Sequence, residues 1–201
     1  MREIEFEKRQ MLSLEQYNLL VSFFSNAGFR NKITEQTNIY FDNSNNRVFE
    51  DGNCLRIRQY EDNKPSKFTI KLKGINGQGD IEVFQELSKE DEMLLLEKGL
   101  MPLGPVKECL VSNNYEADKV LFMGKIHTSR QEFFLEDHII VLDKNKFLDV
   151  IDYNIEVESN SMENAEKYLK EICSKFSIEY IGKCESKSQR TTKRYLEEKT
   201  K

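Results

Sequence analysis

The sequence predicts a strand-rich α+β chain with about eight strands and two or three substantial helices. Three observations carry this prediction. First, five stretches (3–9, 55–58, 68–73, 81–86 and 155–158) alternate charged and apolar residues with period two. Side chains of a strand point alternately to opposite faces, so each stretch puts like charges in a row on one face and Ile, Leu, Phe or Val on the other. Second, apolar residues recur at helical spacing in segments opened by serine caps. Third, 13 Phe and 8 Tyr supply bulk for a packed core, which disordered chains lack.

The elements follow in order. After the strand at 3–9, Ser13-Leu14-Glu15-Gln16 is a capping box. Leu14, Tyr17, Leu20, Val21 and Phe24 then line one helix face, and Gly28 closes the helix. Residues 36–42 read as a strand and Asn43-Ser44-Asn45-Asn46 as a turn. Segment 47–60 carries paired arginines, and Asp62-Asn63-Lys64-Pro65 turns the chain into strand 67–73, which makes a hairpin. Gly74, Gly77 and Gly79 connect it to strand 81–87, and lack the Gly-Lys-Ser/Thr of a P-loop. Residues 88–99 form a helix from cap Ser88 to stop Gly99, and 105–123 short helical pieces. Segments 124–135, 138–144 and 147–158 read as successive strands. Ser161 caps a helix with Ala165, Tyr168, Leu169, Ile172, Cys173 and Phe176 on one face. The charged tail after Arg190 reads as a solvated terminal helix, with a lid as the alternative.

The 201 residues fit one domain, 1–201. With 38% apolar and 32% charged residues, much charge must lie on the surface or in a polar site. A net charge of −5 argues against a nonspecific nucleic-acid binder. No apolar run approaches the ~20 residues that cross a bilayer. The first residues are charged, unlike a signal peptide. Four cysteines, at 54, 109, 173 and 184, form no CxxC pair and no zinc spacing with histidine. The expected setting is therefore the reduced cytoplasm. Cys54 and Cys173 read as small core residues, and His127 and His138 as ordinary strand positions.

Any single charged row is also what a solvated sheet face looks like. The set is more pointed. Glu5, Glu7, Glu82, Glu156 and Glu158 supply carboxylates. Arg9, Arg56, Arg58, Lys71 and Lys73 supply cations, with Arg130, Lys187 and Arg190 as additions. If helices cover the outside of a closed sheet, the apolar residues face out and the charges face in, which inverts an ordinary small barrel. Carboxylates at i and i+2 on a strand suit a hard cation such as Mg2+ or Mn2+, which also binds substrate phosphate. Arginine forks and lysine point charges suit phosphate oxygens.

In this order, the alternating N-terminal glutamates, Tyr40-Phe41-Asp42, Leu55-Arg56-Ile57-Arg58, Thr69-Ile70-Lys71-Leu72-Lys73, Ser129-Arg130, the stretch 153–158 and Lys187/Arg190 resemble the CYTH proteins, or triphosphate tunnel metalloenzymes. The spacing is most similar to the bacterial YjbK-like branch. The resemblance implies an eight-stranded antiparallel β-barrel, a tunnel with a hydrophilic interior and helices packed outside. It implies Mg2+ or Mn2+ held by Glu5, Glu7, Glu156 and Glu158, with Glu82 as a further tunnel acid. It also implies a triphosphate held by Arg56, Arg58, Lys71, Lys73, Arg130, Lys187 and Arg190. The family's N-terminal motif, carried onto this chain, makes Glu5, Glu7 and Arg9 the catalytic group. One departure stands out: Glu5-Phe6-Glu7-Lys8-Arg9 has arginine where the family has lysine, and Lys8 falls on the opposite face. Arginine stays protonated and cannot serve as a general base. A second departure is Asn154, where related chains often carry glutamate.

The expected function is a metal-dependent triphosphatase, a hydrolase of phosphoanhydride bonds acting on inorganic triphosphate or on an organic one such as thiamine or nucleoside triphosphate. The alternatives are a class IV-type adenylate cyclase and a non-catalytic polyphosphate- or nucleotide-binding module. The expected partner is a small-molecule triphosphate, with no nucleic acid and no membrane, and the chain is expected as a monomer or homodimer.

Overall fold

A computed structural model describes residues 1–62, 64–75 and 78–200. Its strands are β1 (Arg2–Leu12), β2 (Arg30–Asp42), β3 (Cys54–Tyr60), β4 (Lys67–Leu72), β5 (Asp80–Glu86), β6 (Leu121–Phe134), β7 (Ile139–Phe147) and β8 (Val150–Ser159). Its helices are α1 (Leu14–Asn26), α2 (Arg47–Glu50), α3 (Lys89–Lys98), α4 (Pro105–Ser112), α5 (Met162–Lys175) and α6 (Lys187–Lys199). The strands close into an antiparallel barrel in the order β1-β5-β4-β3-β2-β6-β7-β8.

The inverted polarity follows from the period-two pattern. Leu55 and Ile57 of β3 and Phe68 and Ile70 of β4 point outward and pack with Leu95 of α3 and Val106 and Leu110 of α4. On the far side, Ile140, Leu142, Ile155 and Val157 pack with Leu20 and Phe24 of α1 and Leu169 and Cys173 of α5. Each buried Ile, Leu or Phe contributes about 1.5–3 kcal/mol, so the helical coat supplies the stability that an apolar interior gives other barrels. Lys8 lies on this outer face and pairs with Glu166 of α5 at 3.2 Å.

The serine caps are formed as expected. Ser13 and Gln16 complete the capping box of α1, while the Ser88 and Ser161 hydroxyls accept the Asp91 and Asn164 amides. Gly99 closes α3 at φ 66°, where an added Cβ would stand 2.1 Å from the Val120 carbonyl oxygen.

Several expectations change. Among the described residues there are six helices. β2 begins at Arg30, and β6 begins at Leu121 inside the segment expected to be helical. There Leu121 and Phe122 pair with Asp42 and Phe41, so sheet pairing overrides helical propensity. Asn63 of the predicted turn and Gly77 of the spaced glycines lie outside the described residues.

The tail is a terminal helix, exposed at Lys193 and at 197–199, but solvated on one side only. Thr191 and Thr192 of α6 are buried, and Leu196 packs against Tyr40, Met123, Ile126 and Phe147. This cluster and α6 plug one end of the barrel. α6 buries threonines rather than an aliphatic stripe, so the sequence carries no apolar periodicity to announce it. Gly124 permits the approach, since a Cβ there would meet Thr191 Cγ2 at 3.1 Å.

Candidate functional site

The inward faces of the strands build one charged tunnel. Residues paired across antiparallel strands share a face. The register pairs Glu7 with Glu158, Arg9 with Glu156, Cys54 with Lys71 and Lys71 with Glu82. The tunnel is lined by Glu5, Glu7, Arg9, Arg56, Arg58, Lys71, Lys73, Glu82, Arg130, Glu156, Glu158 and Lys187. These are all the sequence-selected residues except Arg190. Arg190 instead turns its fork onto Asp152, with Nε donating to Oδ2 at 2.8 Å and Nη2 to Oδ1 at 3.1 Å, and fastens α6 to β8.

Charge is sorted around the barrel. Arg56 and Arg58 stand on β3, Lys71 on β4, and the acids Glu7, Glu156 and Glu158 on β1 and β8. In the strand order β3 lies opposite β8. Most charges are matched. Arg56 donates to Glu82 at 2.9 Å, and Lys71 donates to Glu5 at 2.9 Å and Glu7 at 3.1 Å. Arg130 forks onto Asp143 (2.9 Å to each oxygen) and donates to Glu156 at 2.8 Å. Lys187 reaches Asp143 at 2.7 Å and Glu156 at 2.6 Å. Arg9 bonds Glu7, and its Nε lies 3.4 Å from Glu156.

These contacts set the ionisation. Burial alone would favour neutral acids. Glu156 is nevertheless held well below the usual carboxylate range by Lys187, Arg130 and Arg9. Asp143 is likewise lowered by Arg130 and Lys187, and Glu5 by Lys71. Besides Lys73, which is exposed, two tunnel charges among the described residues are unmatched. Arg58 has no carboxylate within ion-pair distance among the described residues. Its Nε donates to Asn38 at 3.0 Å, and burial and the neighbouring Arg56 and Arg130 charges push its pKa down. On the opposite wall Glu158 is pushed up to about 7 by burial, with Glu156 and Glu5 adding repulsion against the pull of Arg130.

Glu7, Glu156 and Glu158 bring one oxygen each within 4.8 Å of one another. This all-oxygen set fits a hard divalent cation, and the unmatched charge at Glu158 is what such an ion would neutralise. Glu82 does not join it. It is buried on the basic wall, with Arg56 at 2.9 Å and Lys67 at 4.0 Å. Glu5 is engaged by Lys71.

Cys54 is a correction. It sits on the tunnel wall rather than in the core, because it shares the inward parity of Arg56 and Arg58. The tunnel also uses residues not selected from the sequence. Asp80 contacts Lys71 at 3.2 Å, and Ser186 and Ser188 flank Lys187. Asp143 and Asn145 alternate with Leu142 in β7, a period-two signal like the others but too short in charge to stand out. Asn154 is buried, accepts from Asn145 at 2.8 Å and donates to Asp143 at 3.4 Å, which places it in a network of amides and carboxylates beside the tunnel.

Comparison with known proteins follows the same lines. The CYTH domain family matches residues 1–192. A Bacillus subtilis protein, YjbK, provisionally named a triphosphatase, is 29% identical over 100% of this chain and 98% of its own length. A Bacillus halodurans crystal structure provisionally named an adenylate cyclase is 32% identical, with a TM-score of 0.82, covering 94% of this chain and 97% of that one. The Hippeastrum protein HpAC1, described as an adenylyl cyclase candidate with a dominant triphosphatase activity, shares the fold at 22% identity. Its TM-score is 0.71 over 93% of each chain. No helix among the described residues is long and apolar enough to cross a membrane.

Proposed function

The chain belongs to the CYTH domain family, and from that premise we propose that residues 1–201 act as one cytoplasmic tunnel domain that hydrolyses a small-molecule triphosphate with Mg2+ or Mn2+. The substrate would be inorganic triphosphate or an organic triphosphate such as thiamine or nucleoside triphosphate. The observation that carries the reading is the pair of unmatched charges on opposite walls: Arg58 without a carboxylate and Glu158 without a dedicated cation. A metal–triphosphate complex satisfies both at once. The relation to YjbK supports the same class of substrate.

Arg58 and Arg56 present planar forks to phosphate oxygens, and Lys71 and Lys73 add point charges from the adjoining strand. Arg130 and Lys187 add cations beside Glu156 and keep it ionised. Glu7, Glu156 and Glu158 would hold the cation, which when bound offsets charge on the phosphate oxygens as the bond breaks. Glu5, kept ionised by Lys71, is the acceptor assigned to orient the attacking water. Arg9 bridges Glu7 and Glu156, and as a permanent cation it orients these acids and takes no proton. Positioning and charge stabilisation, not a strong base, would supply most of the rate.

Phosphate release from tripolyphosphate, thiamine triphosphate and ATP, each with EDTA, Mg2+ or Mn2+, tests this. Metal-dependent release that is lost in Glu5→Gln and Arg58→Ala is expected, and no release from any of the three rejects it. Arg9 favours a second reading, binding without turnover, which predicts tight triphosphate binding and no release. The name given to the Bacillus halodurans relative makes cyclic AMP the further product to assay in the ATP arm.

A further inference from the structure

Outside the tunnel, a cavity of about 500 Å3 lies between α6, β6 and the β7–β8 turn. We propose that it is a second binding site, for a small ring-bearing monoanion such as an aromatic carboxylate or sulfonate. It is separate from the tunnel. The two linings share no residue, and the cluster of Tyr40, Met123, Ile126 and Phe147 stands between them.

The cavity walls are apolar and aromatic: Phe122, Phe147, Leu148 and Tyr195, with the bare backbone of Gly124 between them. Phe122 and Tyr195 meet edge to face, with ring centroids 5.0 Å apart. Pockets of this size with apolar walls and a few placed polar groups are the usual form of a small-molecule site. Here the placed groups are Lys125, His127 and Lys146 on the rim. Thr191, 1% exposed, closes the floor beside Gly124.

The charge of the ligand follows from the rim. Lys125 and His127 share the outward face of β6, and Lys146 pairs with His127 across β7. Both lysines are exposed, and neither has a carboxylate within ion-pair distance among the described residues. The nearby acids are already engaged. Glu35 accepts from Ser129 at 2.6 Å and lies 3.0 Å from His127 Nε2, and Asp149 is forked by Arg194 at 3.0 and 2.8 Å. The rim is therefore cationic and the walls are flat and apolar, which selects a ring carrying one negative group.

The probe is 1-anilinonaphthalene-8-sulfonate, whose emission rises in apolar surroundings, read in a chain with no Trp. The expected result is one saturable site per chain. Affinity should fall at least about tenfold in the Lys125→Gln/Lys146→Gln double variant and for the uncharged N-phenyl-1-naphthylamine, as loss of charge-assisted contacts requires. Excess tripolyphosphate should not displace the probe, which separates this site from the tunnel. Both lysines are exposed, so the double variant should keep the wild-type melting temperature. The proposal is overturned if the double variant binds the probe within twofold of wild type, if the neutral analogue binds as well, or if tripolyphosphate competes.

Discussion

Glu158 offers the sharpest test of the charge arrangement, because its titration couples stability, pH and metal in one measurement. Its pKa stands at about 7 in the folded chain against an ordinary 4.5. The folded state thus holds this proton more tightly than the unfolded state. The stability it contributes is fully present below pH 4.5 and is lost as pH rises through 7. At about 1.4 kcal/mol per pH unit the gap corresponds to ~3 kcal/mol. Water in the tunnel screens the group, so about 2–3 kcal/mol is expected, or about 4–12 °C for a chain of this size. The assay is urea unfolding in EDTA from pH 4.5 to 8, for wild type and Glu158→Gln. The variant carries a permanently neutral side chain, and the difference between the two curves removes His138 and every other titrating group. Wild type should lose 2–3 kcal/mol relative to the variant across that range, by the same linkage. Millimolar Mg2+ should then restore wild type above pH 7 and stabilise the variant less. Two results refute the reasoning: curves that stay parallel to within about 0.5 kcal/mol, which is the ordinary error of such comparisons, or equal stabilisation of both proteins by Mg2+.

Other perturbations have clear signs. Arg58→Ala should weaken tripolyphosphate binding by about 10- to 100-fold, the value of one or two charge-assisted hydrogen bonds. Because Arg58 is half-buried among like charges without a carboxylate, the melting temperature of the variant should hold or rise; calorimetry reads both quantities. Glu7→Gln removes one of the three clustered carboxylates, so isothermal titration with Mn2+ should show the loss of specific binding while circular dichroism stays unchanged. Glu156→Ala strands Arg130 and Lys187 beside Asp143 alone, and breaking such a buried network should cost about 3–5 kcal/mol in urea unfolding. Ile57→Ala opens a cavity in the outer core, where Ile57 is 0% exposed. It should cost about 2–5 kcal/mol without altering triphosphate affinity.

The legible parts of the sequence were those with long, regular patterns. Ser13-to-Gln16 and Ser88-to-Gly99 announced helix ends because capping is local chemistry. The rows at 3–9, 55–58 and 155–158 announced a charged face because alternation is a property of the extended backbone. Asp143 does not stand out because it is the single acid of β7, and Asp80 because it lies just ahead of the alternating stretch 81–86. Their parity is readable, but their importance comes from Arg130 and Lys71 on other strands. Cys54 reads as core by residue type, yet its position two before Arg56 gives it the inward parity, and its register with Lys71 agrees. Arg190 looked equivalent to Lys187, three residues away on one helix. Three residues turn a helix by most of one turn but also advance it, and here that carries Arg190 to Asp152 instead of the tunnel.

The sequence by itself determined that this chain has strands with one charged and one apolar face, and helices to cover the apolar side. That follows because backbone periodicity and burial are set residue by residue. It also determined which charges could form the site. Only the tertiary structure decided their partners. Barrel closure sets β3 against β8, so Arg58 faces a wall of crowded acids, and Glu82 is drawn to Arg56 and away from the metal-binding set. The same closure leaves an end to be filled, and α6 fills it with threonines and Lys187. Pairings across a closed sheet join residues up to about 150 positions apart, as Arg9 and Glu156 are. No local pattern encodes that distance, because it is fixed by strand order and register rather than by any one segment.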